Sequence, residues 1–172
     1  MLFRSCIHTR YSTQQAILED IVASLYAQGM RKLIILSGHG GNNFKGMIRD
    51  LAFVYPDFLI IAADWFSIVP PKDYFEAVVD DHAGESETSV MMHYHPELVN
   101  LAEAGDGESR PFAIPSLNEK VGWAPRHWDK ATVDSGVGNP KKASAEKGKR
   151  YMKPVVEKLA KLFTEVGLGS LY

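Results

Sequence analysis

Near the N-terminus, apolar positions recur at the spacing of an α-helix: Ile17, Ile21, Val22 and Leu25. We predict that this helix begins at Ser12, whose side chain can cap it while Gln15 reaches back to the cap. Gly29 follows the last apolar position and is a natural stop, because glycine tolerates the left-handed conformation of a helix C-terminus. The pattern therefore predicts one helix between Ser12 and Gly29.

Two short runs, Lys32–Leu36 and Phe58–Ala63, are almost continuously apolar and rich in strand-forming residues. Each predicts a strand buried on both faces, which is typical of parallel sheets. A helical stretch between them extends to about Val54, where Pro56 and Asp57 interrupt it. The order helix, strand, helix, strand predicts an α/β fold with a mainly parallel sheet.

Residues that could take part in binding or catalysis follow each predicted strand. His39 comes just after the first strand, and Asp64 and Trp65 come just after the second. Ligands of such sheets bind outside the carboxyl ends of the strands. We therefore expect the site at this edge, with Trp65 contacting the substrate.

The C-terminal half has less regular patterning. A second helix is predicted from Gly84 to about His93. A last helix is predicted to begin at Ser144, and Pro154 within it should kink it or split it in two. The stretch Gly105–Asn139 carries no clear period and is long for a structureless loop, which favours a lid or a subunit contact. Two aromatic residues of this stretch, Trp123 and Trp128, could cover a substrate, although surface packing is the more common role of such rings.

Composition narrows the function classes. The chain has 172 residues, 45% hydrophobic and 23% charged, with a formal net charge of −2, which predicts one soluble globular domain spanning residues 1–172. This charge gives no general attraction to nucleic acid or to anionic membranes. Basic residues cluster between Lys141 and Lys161, but Glu146 and Glu157 are interleaved with them, as on a solvated helix face.

Cysteine usage and the apolar runs bear on location. Cys6 is the only cysteine, so no intrachain disulfide can form, and its apolar surroundings favour a small buried hydrophobe over a nucleophile. The apolar runs are far shorter than a membrane span, and no signal peptide is evident. We therefore predict a cytoplasmic protein without nucleic-acid or membrane partners.

The first chemical constellation is the segment 37–43, Ser-Gly-His-Gly-Gly-Asn-Asn. Glycines around His39 permit sharp turns and keep side chains away from the imidazole, so Gly40 and Gly41 leave room for a substrate. This suits a metal-ligating histidine. A phosphate cradle at a helix N-terminus is weaker, because no complete phosphate-binding motif is present. A glycine-rich turn with an incidental histidine is the third reading.

The second constellation is the acidic segment Asp80–Ser89. Glu87 and Met91 would share a helix face, and because we expect Met91 to face the core, Glu87 should lean towards the interior. A buried carboxylate needs a partner or a metal, so Glu87, and His82 beside Asp81, are favoured as functional residues. For Glu85 we expect only a favourable interaction with the helix dipole.

Together these segments resemble the creatininase (creatinine amidohydrolase) family. That family carries an Asn/Ser-Gly-His-Gly-Gly-Asn loop after a central strand and a later His-Ala-Gly-x-x-Glu-Thr-Ser motif. Here they stand as Ser37–Asn42 and His82–Ser89. Gly138-Asn139-Pro140 before the final helix also fits.

The resemblance implies a three-layer αβα fold and a homo-oligomer. It also implies a two-metal site, with zinc, manganese or iron, that hydrolyses an amide or cyclic amide C–N bond of a small molecule. By motif, His39 is a metal ligand, His82 the proton-transfer residue, and Glu87 a catalytic carboxylate and possible ligand. Gly40, Gly41, Trp65 and Asp81 are the expected substrate-binding residues.

The chain departs from the family pattern in two ways. Members begin with a strand and a Glu-x-His-Gly-x-His-Leu-Pro segment that supplies most metal ligands, and this sequence has no such segment. We therefore expect an N-terminally truncated or degenerate member that cannot build the two-metal site alone. Creatinine-cleaving members also carry bulkier, acidic residues after the loop histidine, where this chain has Gly40 and Gly41. Creatinine is therefore not the expected substrate.

Two alternatives from other functional classes remain open. A catalytically inactive scaffold or regulatory subunit would keep the fold without the metal. A nucleotide-binding module would use the glycine-rich loop 38–43 for phosphate.

Overall fold

The computed structural model describes residues 8–170, so Cys6 lies outside the described residues. They form two compact units. One is an α/β unit made of residues 8–69 with 155–170, and the other, which we call the central unit, is residues 70–154. Helix α6, Ala145–Leu168, begins in the central unit and ends in the α/β unit.

The α/β unit is built from two helix–strand pairs. Its elements are α1 (Tyr11–Ala27), β1 (Lys32–Ser37), α2 (Lys45–Val54) and β2 (Leu59–Asp64). The strands pair in parallel, from Lys32 opposite Leu59 to Ser37 opposite Asp64. One face packs against the two helices in a core of Leu18, Val22, Met47, Leu51, Phe58 and Ile60. This arrangement confirms the predicted α/β class.

Two details of the α/β unit differ from the prediction. Helix α1 follows Arg10, and no side chain caps it, so the predicted cap at Ser12 is wrong. Gln15 instead donates a hydrogen bond to Asp50 at 3.2 Å. The strands are also not buried on both faces, since Leu36 is 51% exposed. Within residues 8–170 this sheet has two strands, so apolar composition alone did not ensure cover on both faces.

The central unit has shorter elements. A small antiparallel pair joins β3 (Asp80–His82) to β4 (Val137–Gly138). Helix α3 (Glu85–Tyr94) follows β3. Two short helices, α4 (Pro115–Asn118) and α5 (Trp128–Ala131), lie in the stretch Gly105–Asn139, whose sequence shows no apolar period.

Buried residues at the start of α6 hold the central unit together. Tyr151 is 1% exposed, and its ring lies edge-on to Tyr74 and Phe75 at centroid distances of 5.4 and 5.1 Å. Helix α6 begins directly after Ser144, in agreement with the predicted start, and Ser144 caps it because its Oγ accepts a hydrogen bond from the Lys147 amide at 3.2 Å. Pro154 lies inside α6 without splitting it into two helices. None of the helices within residues 8–170 has the length and hydropathy to cross a membrane.

Candidate functional site

The glycine-rich loop, residues 37–43, lies at the carboxyl end of β1. A turn closes it, with the Asn42 amide donating to the His39 carbonyl at 3.1 Å. The Gly41 amide donates to Nδ1 of the His39 ring at 2.9 Å. The indole of Trp65, just after β2, donates to the Gly38 carbonyl at 3.4 Å. The structure therefore brings three predicted site residues of the α/β unit together at the predicted edge: His39, Gly41 and Trp65.

The glycines of this loop differ in how much space a side chain would have at each position. A Cβ at Gly41 would lie 3.0 Å from His39 Nδ1, closer than a side chain normally packs, so Gly41 lets the backbone approach the imidazole. A Cβ at Gly40 would make an ordinary 3.7 Å contact with the Phe66 ring, and one at Gly38 would meet nothing within 4 Å. Among these three glycines, only Gly41 has a Cβ position closer to another side chain than ordinary van der Waals contact.

The hydrogen bond to Nδ1 bears on metal binding. A nitrogen that accepts a backbone N–H uses its lone pair for that bond, and the proton of a neutral ring then sits on Nε2. A metal also needs an imidazole lone pair, so ligation by His39 requires a rearrangement of this bond or of the proton. Within residues 8–170, no group of three or more His, Cys, Asp or Glu side chains could hold a metal ion. The described residues therefore do not complete a metal site.

In the central unit, the residue after His82 is held in an unusual conformation. Ala83 has a φ of +49°, in the left-handed region that costs a non-glycine residue about 1 kcal/mol. Glu87 Oε2 accepts the Ala83 N–H at 2.7 Å, and Thr88 Oγ1 donates to the Ala83 carbonyl at 3.2 Å. Both backbone polar groups of Ala83 are thus bound by the first turn of α3. We call this arrangement the Ala83 clamp.

The clamp accounts for Glu87 and Thr88 of the His82–Ser89 motif, and other residues of the motif have separate structural reasons. A Cβ at Gly84 would collide with Asp80 Oδ1, so a glycine is needed there. Ser89 is fully buried, and its Oγ accepts the Ser144 amide at 3.1 Å, which joins α3 to the start of α6. The motif therefore specifies the backbone around His82 as well as the side chains offered to a ligand.

His82 packs against residues that sequence analysis did not connect with it. Its ring meets the Trp128 indole edge-on, with centroids 5.3 Å apart. The Arg126 guanidinium lies 4.4 Å from the Trp128 ring centroid and pairs with Asp81 Oδ2 at 2.6 Å. Trp128 is fixed by an indole hydrogen bond to the Ser135 carbonyl at 3.0 Å. Arg126 was missed because no local pattern pairs it with a carboxylate 45 positions away.

The burial of the two glutamates differs from the prediction, since Glu85 and not Glu87 is the fully buried carboxylate. Glu85, expected to do no more than favour the helix dipole, is 0% exposed. Its carboxylate accepts the amides of Glu76 and Ala77 at 2.9 and 2.8 Å and pairs with Lys147 at 2.5 Å. Glu87 is only partly buried, and Met91, expected in the core, is 38% exposed. The prediction about which helix face is internal was wrong, because Lys147 of α6 supplies a partner that makes burial of Glu85 favourable.

Asp80 adds a polar group that the sequence analysis did not single out. Its Oδ2 accepts the Ser86 amide at 3.0 Å. Its Oδ1 is buried and has no hydrogen-bond partner among residues 8–170. Burial raises the pKa of this carboxyl above its ordinary value, and the neighbouring Glu85 and Glu87 act in the same direction.

The predicted site residues are divided between the two units. Those of the α/β unit are His39, Gly40, Gly41 and Trp65, and those of the central unit are Asp81, His82 and Glu87. That these two sets share one site stays a prediction. His95, which directly follows α3, lies at the surface, with its Nδ1 at 3.2 Å from Glu97 Oε1.

Comparison with known proteins identifies the family. The creatininase family model, described as creatinine amidohydrolase, matches residues 1–163. A curated relative, the mycofactocin precursor peptide peptidase of Mycobacterium ulcerans, is 32% identical over 131 residues, which are 73% of this chain and 45% of the relative. The chain thus spans about half the length of the curated relatives it matches first.

Solved structures agree with this match. A Bacteroides fragilis NCTC 9343 protein described as "Putative creatinine amidohydrolase" is 80% identical, with a TM-score of 0.96 over 99% of this chain and 68% of that one. Two creatininase structures at 20% and 21% identity, one named a "Zn-Zn type" and one "Creatininase Mn", share the fold with TM-scores of 0.72 and 0.71. Each covers 95% of this chain and 67% of the other. The chain belongs to the creatininase family.

Proposed function

We propose that this protein is an amidohydrolase that cleaves an amide or cyclic amide C–N bond of a small molecule. The family supports hydrolysis of amide bonds, and the mycobacterial relative is named a peptidase. The observation that carries the proposal is the Ala83 clamp. Strained backbone that several bonds hold in place is typical of functional sites, and here it positions a histidine.

His82 is the proposed proton-transfer residue. An imidazole is suited to give a proton to the departing nitrogen at neutral pH, provided that its orientation is held. The clamp holds the backbone that follows His82, and the Trp128 edge holds one side of its ring. Glu87 acts in this arrangement as a positioning residue, and its catalytic and metal-binding roles remain proposals.

The substrate-binding roles are supported unequally. Gly41 keeps a side chain away from the His39 ring, which leaves room for a substrate there, whereas a Cβ at Gly40 would contact the Phe66 ring instead. Trp65 is held beside this loop by its bond to Gly38. Asp81 is paired with Arg126, so a substrate that uses Asp81 must compete with that ion pair.

A divalent metal, zinc, manganese or iron, is the proposed cofactor. The support is the zinc and manganese in the names of the creatininase structures that share this fold. His39 and Glu87 are the proposed ligands. Because the described residues do not complete a metal site, we derive no step that passes through the metal. A homo-oligomer and a cytoplasmic location remain predictions.

Removal of one clamp bond tests the proposed role of His82. Thr88→Val keeps the shape of the side chain and removes the hydroxyl bond to the Ala83 carbonyl, which is worth about 1 kcal/mol. We expect kcat for hydrolysis of small amides and dipeptides to fall about tenfold, with KM changed much less. Assays contain added Zn²⁺ or Mn²⁺ and run in parallel with the 80% identical Bacteroides fragilis protein, of which this chain covers 68%.

The matched control is Thr164→Val, which removes a similar bond, from Thr164 Oγ1 to the Ala160 carbonyl at 2.9 Å, on exposed α6. It should leave kcat unchanged. Equal kcat for the two variants would contradict the positioning role. Absence of hydrolysis in both wild-type proteins, with every substrate and metal tried, would contradict the proposed activity.

A catalytically inactive scaffold is the second candidate function. It is favoured by the absence of a group of three ligating side chains among residues 8–170. This candidate predicts that folding and any assembly do not depend on metal. Thermal unfolding with and without a chelator, followed by metal analysis, distinguishes the two: bound stoichiometric metal and a chelator-sensitive Tm support the enzyme.

A further inference from the structure

The segment 109–131 of the central unit encloses a cavity of about 550 Å³. Backbone and side-chain bonds define its walls. The Arg110 amide donates to the Ala131 carbonyl at 2.7 Å, and the Asn118 side chain bonds both the amide and the carbonyl of Phe112, at 2.9 and 2.8 Å. The volume lies in the range of small-molecule sites.

The charge of the lining has one sign. Its cationic residues are Arg110, Lys120, Arg126 and Lys130, with His127 beside them, and in the described part of the chain no carboxylate lines it. Among residues 8–170, no acidic side chain forms an ion pair with Arg110, Lys120 or Lys130. The chain as a whole has a net charge of −2, so this concentration of positive charge is local. A concave surface of one sign attracts ligands of the opposite sign.

The rest of the lining is largely apolar, from Pro111, Phe112, Ala113, Leu117 and Ala131. Phe112 and Leu117 are only partly exposed, so a ligand that covers them would remove further apolar surface from water. A cavity with both properties selects a molecule with an anionic head and an apolar body. Inorganic anions would satisfy only the charged part.

Arg126 connects this cavity with the residues around His82. Its guanidinium lines the cavity, stacks on Trp128 and pairs with Asp81. Guanidinium groups bind carboxylates and phosphates well because their N–H groups match two acceptor oxygens. An anion in the cavity therefore competes with Asp81 for Arg126.

We propose that the cavity formed by residues 109–131 is a binding site for an organic anion, a carboxylate or phosphate carried on an apolar group. Arg126 and Lys130 contact the anionic head, and Phe112 and Leu117 contact the apolar group. The site stands on the geometry of the central unit and does not depend on the proposed hydrolysis.

Calorimetry with matched ligands tests the charge requirement. The probes are 3-phenylpropionate, phenyl phosphate and the neutral 3-phenylpropanamide, titrated into the full chain at low and high salt. We expect at least one anion to bind about tenfold or more tighter than the amide, because charge-assisted hydrogen bonds contribute more than neutral ones. Higher salt should weaken binding of the anion, since screening acts on exposed charges. Whichever of the two anions binds more tightly shows whether the site prefers a carboxylate or a phosphate head group.

Charge reversal locates the site. Lys130→Glu should weaken binding of the anion about tenfold or more, and the milder Lys130→Gln should weaken it less. The matched control is Lys149→Glu, which makes the same change in net charge at an exposed position of α6 outside the cavity lining. Circular dichroism confirms that each variant is folded. Equal binding of amide and anions, no binding of either anion, or equal effects at Lys130 and Lys149 would overturn the proposal.

Discussion

The glycine-rich loop 37–43 and the segment 80–89 carry the two motifs of this chain, yet different forces shape them. From Gly38 to Asn43 every residue of the loop is exposed, and its form rests on a backbone turn and on the Gly41 amide bond to His39. In the second segment Gly84, Glu85 and Ser89 are buried. The buried Glu85 and Ser89 bond backbone groups of distant residues, and the partly buried Glu87 and Thr88 hold the backbone that follows His82.

This difference means that the same kind of substitution should have different consequences in the two regions. An exposed loop can relax when one contact is lost, because water replaces the missing partner. A buried polar network cannot relax in this way, since each group left without a partner keeps its desolvation cost. Substitutions that remove such partners are therefore the strongest tests of the comparison.

The largest effect is expected at Glu85. Glu85→Ala leaves the amides of Glu76 and Ala77 without their acceptor and removes the partner of Lys147. We expect the free energy of unfolding to fall by about 3 kcal/mol, as for other buried ion pairs that lose one member. Urea denaturation measures it. Glu146→Ala, at an exposed position of α6, is the control and should change stability by less than about 0.5 kcal/mol.

A comparison of two glycine substitutions comes next. Gly84→Ala places a Cβ against Asp80 Oδ1 and should lower stability by about 1–3 kcal/mol through overpacking. Gly38→Ala meets nothing within 4 Å and should leave stability unchanged or raise it by up to about 1 kcal/mol. Thermal unfolding of both variants measures the difference. A loss at Gly38 as large as that at Gly84 would break the distinction between the two regions.

The smallest effect concerns the pH dependence of stability at Glu76, an exposed carboxylate that pairs with Lys147, the partner of Glu85. Hydrogen bonds from Lys142 and Lys147 lower the pKa of Glu76 from 4.5 to about 2. A carboxyl whose pKa is lower in the folded state stabilises the fold above its unfolded pKa, and this contribution is lost as the pH falls towards the folded pKa.

Glu76→Gln should therefore reduce stability at neutral pH slightly, and it should flatten the decrease in stability between about pH 4.5 and about pH 2. Glu76 is exposed, so solvent screening keeps the effect small. Urea midpoints measured across this range test the prediction. An unchanged pH profile would show that Glu76 is not coupled to the lysines in solution.

Much of the α/β unit could be predicted because its signals are local. The apolar period of α1, the stop at Gly29 and the two apolar runs each lie within a short stretch of chain, and the structure confirms these elements. The cap at Ser12 was wrong, since the helix begins after Arg10. Several neighbouring residues there suit a helix start, and no short motif decides among them.

The central unit was predicted less well because its decisive contacts join distant residues. The motif His82–Ser89 is visible in the sequence, but its burial pattern is not. Glu85 is internal because Lys147 reaches it from α6, 62 positions away. Arg126 reaches Asp81 over 45 positions in the same way. The apolar pattern of a single helix contains no information about such distant partners, so the internal face of α3 was assigned incorrectly.

The amino-acid sequence alone determined the α/β class, the order of the helices and strands in the α/β unit, and the two motifs that place this chain in the creatininase family. These follow from the spacing of apolar residues and glycines, which acts over a few positions. The tertiary structure decided which carboxylate is buried, how Glu87 and Thr88 hold Ala83, and which cations meet around the cavity of residues 109–131. Burial of a charge depends on partners brought from elsewhere in the chain, and only the folded chain contains those partners.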